Sequence, residues 1–90
     1  MIPTLDLVEL DRDGEVPLSR QLAAILRDRI HSGDLPAGRP VPSKRALTQQ
    51  YGIAGSTVDK AMTILKDEGL IRTAKGLGLF VVPTEERPKR

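Results

Sequence analysis

Between Val41 and Val82 the chain is punctuated by glycines in a pattern that leaves few folds open. Val41-Pro42-Ser43-Lys44-Arg45-Ala46-Leu47 opens one short helical segment, which Gly52 ends. A second segment begins near Ser56-Thr57-Val58 and is terminated by Gly69. Leu70 to Ala74 and Leu79 to Val82 then read as two short strands around Lys75-Gly76-Leu77-Gly78, with Pro83 ending the second. Two short helices joined by a glycine turn, followed by a hairpin, predict a helix-turn-helix with a β-wing. Such a pair suits double-stranded DNA, because the second helix can enter the major groove while the first crosses the backbone.

A first helix is expected from Pro17, which fits an opening turn because its missing N–H has no helical partner there anyway. Leu18, Leu22, Ile25, Leu26 and Ile30 share one face at helical spacing, with Arg20, Arg27, Asp28 and Arg29 elsewhere on the surface, and Gly33 stops the run. Leu35 to Pro42 reads as an ordered loop. Ser43 stands at the N-cap of the second helix, and Ala46 leaves its capping box half complete. Leu47 and Tyr51 face inward there. On the third helix, Val58, Ala61, Met62 and Leu65 form the inner stripe, and Ser56, Thr57, Asp59, Lys60, Thr63 and Lys66 face out. The fold class is mainly α with a small β-wing (α+β): a three-helix core plus a two-stranded antiparallel hairpin.

Charge is distributed as DNA contact would require. Residues 1–15 hold Asp6, Glu9, Asp11, Asp13 and Glu15 against Arg12, a net of −4, whereas residues 16–90 hold thirteen basic residues against seven acids, a net of +6. The first stretch reads as an acidic arm in which Leu5, Leu7 and Leu10 could pack on the domain and Leu5 to Leu10 form a short edge strand. Residues 16–83 are the winged helix-turn-helix, and residues 84–90 a polar, frayed tail or the start of a linker. No run approaches the ~20 apolar residues of a membrane helix, and the N-terminus lacks the pattern of a signal peptide. Cysteine is absent, so disulfides and thiolate chemistry are excluded. The expected compartment is the cytoplasm.

The ordered set of residues resembles the winged-helix DNA-binding domain of the GntR family of bacterial transcription regulators over about residues 17–82. The markers are Gln21-Leu22, Gly33-Asp34-Leu35-Pro36-Ala37-Gly38, Pro42-Ser43-x-Arg45-x-Leu47, Ser56-Thr57-Val58, Ala61, Leu65, Glu68-Gly69-Leu70-Ile71 and Gly76-x-Gly78-x-Phe80-Val81. The resemblance implies binding as a homodimer to a short palindromic operator, with Arg45 contacting DNA, Ser56 and Thr57 contacting bases or phosphate, and Lys75 and Gly76 approaching the minor groove. Lys44, Arg45, Lys60, Arg72 and Lys75 are candidate phosphate ligands, and Ser43, Gly55 and Asp59 complete the expected DNA-facing set.

Two features depart from the family pattern. Ala54-Gly55 stands where Ser-Arg is usual, and Asp59 replaces an arginine. Loss of the cap hydroxyl at Ala54 should cost about 1 kcal/mol unless Gly55 or Ser56 assumes that role. Bidentate arginine is the commonest specific contact to guanine, so the operator preference is expected to differ from the family's. Asp59 could accept from a cytosine amino group, or pair with Arg45 or Lys60. Family members usually continue into an effector-binding domain that completes the dimer. No small-molecule effector site is expected within these residues, and a stand-alone domain and a fragment both remain open.

Other chemistries find no support. His31 has no metal partner at useful spacing and reads as a helix-end residue. Gly76-x-Gly78 lacks the following helix and Lys-Ser/Thr of a nucleotide loop. Tyr51 and Phe80 are expected in the core, since two aromatics make no base-stacking platform. Asp67 and Glu68 read as solvated helix-surface acids. No nucleophile–base pair can be assembled, so neither an enzyme, a cofactor nor a metal is expected. The expected function is a sequence-specific transcription regulator that represses by occupying a promoter. The alternative is a winged-helix protein-interaction adaptor, with Asp59 marking a surface that has given up DNA.

Overall fold

A computed structural model of the chain describes residues 10–87. The proposed edge strand at Leu5 to Leu10 falls almost wholly outside the described residues, as do residues 88–90 of the proposed tail. Three helices come first, α1 (Leu18–Ser32), α2 (Lys44–Tyr51) and α3 (Gly55–Asp67), followed by strands β1 (Ile71–Ala74) and β2 (Gly78–Val81) and a 3-10 turn at Thr84–Glu86. No helix of the described residues is long and apolar enough to cross a membrane.

The apolar stripes decide the packing. From α1, Leu22, Ala23, Leu26 and Ile30 are buried. They meet Val58, Ala61, Met62 and Leu65 of α3, while α2 buries Leu47 and packs a partly buried Tyr51 against the cluster. Ile71 and Val81 of the hairpin close the core. Pro17 caps α1 without a side-chain bond, and Gly33 takes the left-handed conformation that ends it, φ 90°. The α1–α3 seam is fastened where Arg27 reaches Glu68 through Nε at 2.8 Å and Nη2 at 2.6 Å. The bidentate bond holds the Arg27 guanidinium above its ordinary pKa. Arg27 and Glu68 are thus a fastening of two helices rather than the separate solvated charges expected from sequence.

The wing differs in detail from its expected form. Ile71 pairs with Val81 and Ala74 with Gly78, so Gly78 opens β2 and the loop shrinks to Lys75–Leu77. Leu77 N–H donates to the Ala74 carbonyl at 2.8 Å and Gly76 takes φ 78°, a conformation that disfavours any residue with a Cβ. Alternation puts Ile71, Thr73, Leu79 and Val81 on the core side of the hairpin and Arg72 and Phe80 on the other. Phe80 is therefore only half-buried and stands outside the core cluster in which it was expected.

The loop before α2 supplies a third partner to the sheet. Val41 N–H donates to Leu79, Gly38 N–H to Val81, and Val81 N–H to Arg39, all within 2.9 Å, and Pro40 lies in a bridge opposite Phe80. The free edge of β2 is covered in this way.

Candidate nucleic-acid interface

The two helices of the helix-turn-helix begin differently. At α2, the Ser43 hydroxyl accepts from Ala46 N–H at 3.0 Å, satisfying one of the donors that an N-terminus leaves free. Ala54 occupies the same position at α3 and gives no side-chain bond. Neither Gly55 nor Ser56 takes over, because both already lie inside the helix. The first turn of α3 keeps its N–H groups and the positive end of its dipole unanswered by any side-chain cap. Ser56 stands exposed beside them, while Thr57 is half-buried.

Asp59, Lys60, Thr63, Lys66 and Asp67 continue the exposed side of α3. Asp59, Thr63 and Lys66, three to four residues apart, line a groove of about 510 Å³ together with Ser43, Lys44 and the wing residues Leu77 to Leu79. The helix-turn-helix and the wing tip thus share one surface. Its floor is apolar, with Val58 and Met62 from α3 and Val41 from the loop. Thr63, Lys66 and Leu77 line this groove without having been singled out from the sequence, although the first two repeat the helical stripe of Asp59. Leu77 is 73% exposed between two left-handed glycines.

Asp59 pairs with neither Arg45 nor Lys60, as expected from sequence, but with Lys44, whose Nζ lies 3.3 Å from Oδ2. An exposed pair of this kind contributes about 0–1 kcal/mol to stability. Arg45, Lys60, Lys66 and Lys75 are exposed and make no ion pair among the described residues. Gly76 is at the wing tip with Lys75. Arg72 is the exception in the expected set. It stands on the face of the hairpin turned from the core, and its guanidinium lies 2.7 Å from the Glu86 carboxylate.

One contact was not read from the sequence. Arg12 donates from Nη2 to the carbonyls of Tyr51 at 2.8 Å and Gly52 at 3.0 Å, placing a cation at the C-terminus of α2 where the dipole favours it. Gln21 holds the same stretch against α1 by bonding Asp11 N–H, Asp11 C=O and Val16 C=O. The described part of the acidic arm is thereby tied to both helices.

The chain matches the family model "Bacterial regulatory proteins, gntR family" over residues 18–81. It is 34% identical over 74 residues to the HTH-type transcriptional repressor NagR of Bacillus subtilis (strain 168), a match covering 82% of this chain and 30% of the relative. Its structure resembles YtrA from Sulfolobus acidocaldarius, a GntR-family transcription factor, with TM-score 0.75, 32% identity and coverage of 87% of this chain and 81% of that one. It also resembles the AraR DNA-binding domain in complex with operator ORX1, with TM-score 0.72, 26% identity and coverage of 83% of this chain and 99% of the other.

Proposed function

The chain belongs to the gntR family of bacterial regulatory proteins, and from that premise we propose that it is the DNA-reading part of a transcription regulator. It spans about 30% of the length of a curated relative such as NagR, so the activity of a whole regulator is part of the proposal. The observation that carries the reading is the shared surface of α3, the start of α2 and the wing, where Lys44 lies along an uncapped helix start and Lys66 stands exposed without an ion pair among the described residues. Phosphate answers both features, through counterion release at the cations and through charge at the helix start.

In this reading α3 enters the major groove, Arg45 and Ser56 reach bases or phosphates, and Lys75 and Gly76 follow the flanking backbone or minor groove. Ser43, Gly55, Thr57 and Lys60 border the contact. Two copies on a palindrome would set α3 and its mate in successive major grooves, and occupation of a promoter would repress. NagR is named a repressor, which supports that direction. The protein acts in the cytoplasm, with neither a catalytic centre nor a cofactor.

Titrating a pool of random duplexes and sequencing the bound fraction tests the reading. The expected result is an enriched palindrome, bound with a steep salt dependence of about 0.9 in log K against log salt for each phosphate neutralised. A slope near zero, with no enriched sequence, would overturn it in favour of a protein-interaction adaptor.

A further inference from the structure

Lys44 and Asp59 come from different helices, yet they meet over a residue with no side chain. A Cβ built on Gly55 would stand 3.5 Å from Lys44 Cδ and 3.6 Å from Cε, so the lysine stem lies along the bare start of α3. Its Nζ reaches Asp59 Oδ2 at 3.3 Å, with the two side chains 56% and 62% exposed. Both line the groove shared with the wing tip. Exposed in this way, the pair adds little to stability. What it does is cancel an acid that would repel phosphate and hold a donor and an acceptor side by side at the edge of α3.

We propose that Lys44 and Asp59 act as one unit reading a single G·C pair in the major groove, a proposal that rests on the DNA-binding function above. The carboxylate accepts from the cytosine N4 amino group, and the ammonium donates to guanine O6 and N7. Guanine O6 and cytosine N4 are hydrogen-bond partners about 2.9 Å apart, a spacing close to that of the ion pair. Adenine and thymine also set a donor beside an acceptor, but the neighbouring groups are wrong. Adenine N7 would face the carboxylate, and the thymine methyl would crowd the ammonium. Reversing the pair to C·G sets each charge against its own kind. Specificity therefore comes from two residues of opposite charge where an arginine fork is usual in the family.

The test is a double-mutant cycle on the operator recovered from the random pool, with Lys44→Ala, Asp59→Asn and the double variant measured on that duplex and on versions changed at each base pair. Circular dichroism melts accompany each variant, and both positions are exposed enough for the fold to survive. Each single variant is expected to lose roughly tenfold or more of its preference at the same G·C pair of each half-site. The double variant loses no more than the weaker-binding single variant. Exchanging the charges, Lys44→Asp with Asp59→Lys, should turn the preference to C·G.

Uniform weakening on all duplexes by Lys44→Ala, with the salt slope lowered by about 0.9, would make Lys44 a phosphate ligand and overturn the proposal. Additive losses at two different base pairs would also overturn it. Both results leave DNA binding itself standing. Absence of salt-dependent binding by the unaltered protein would instead remove the underlying function, and the proposal with it.

Discussion

On its core side, α3 buries Ala61 and Leu65 at 0% exposure, and Arg27 closes the α1 seam onto Glu68. Along its groove side, Asp59, Thr63 and Lys66 stand in solvent beside Lys44 and the wing tip. One helix thus has a side held by apolar packing and a side left for polar and charged recognition. Stability and binding should be separable by substitution, because the first is lost only where side chains are removed from contact with others, and the second where donors stand free.

The largest effect is expected from Leu65→Ala. Leu65 is fully buried, and truncation of such a leucine costs about 2–5 kcal/mol, a large part of the about 5–15 kcal/mol available to a small domain. Urea unfolding should show a much lower midpoint, while the fraction that remains folded binds DNA with unchanged selectivity. A cost below about 1 kcal/mol would show that the core side is loosely filled, and the contrast between the two sides would collapse.

Arg45→Ala should do the reverse. Binding is expected to weaken by about 1–3 kcal/mol, with selectivity relaxed at one position per half-site if a base contact is lost. The unfolding free energy should move by no more than about 0.5 kcal/mol. Equal weakening on every duplex would reduce Arg45 to a phosphate ligand, and no change in either measurement would place it outside the interface.

The elements and the inner stripes were legible because they rest on local periods: Leu22, Leu26 and Ile30 repeat as a helix face, and Gly33 and Gly52 mark ends. Much of what surrounds the site depends on partners distant in sequence. Asp59 could be placed on the outer side of α3, but its partner lies fifteen residues earlier, across a turn whose geometry no spacing rule supplies. Arg12 lies 39 residues from the Tyr51 carbonyl it bonds. Gln21 could be quoted as a family marker without any hint that it fastens Asp11 and Val16. The third partner of the sheet was hidden because Pro36, Gly38 and Pro40 read as a loop.

A smaller pair of effects tests the contrast between the two helix starts. Ser43→Ala should cost about 1 kcal/mol, because it removes the hydroxyl that accepts from Ala46. Ala54→Ser should add about 1 kcal/mol by supplying a cap that α3 lacks. Urea titration of the two variants gives both values. If Ala54→Ser has no effect, the first turn of α3 is already satisfied, and its suitability for phosphate weakens as an argument.

The smallest effect separates two cations of the wing. Lys75 is exposed at the tip without an ion pair among the described residues, whereas Arg72 stands on the outer face and already meets Glu86 at 2.7 Å. If the tip follows the DNA backbone, Lys75→Ala should lower the salt slope by about 0.9. Arg72→Ala should leave that slope unchanged, since its charge is answered within the protein and faces away from the groove. The same fall for both variants would mean that DNA displaces Glu86 and draws Arg72 into the contact, making the outer face of the wing part of the interface. A fall for Arg72→Ala alone would reverse the assignment: the hairpin would then present its outer face to DNA, and the groove between α3 and the wing tip would not be the surface on which the backbone lies.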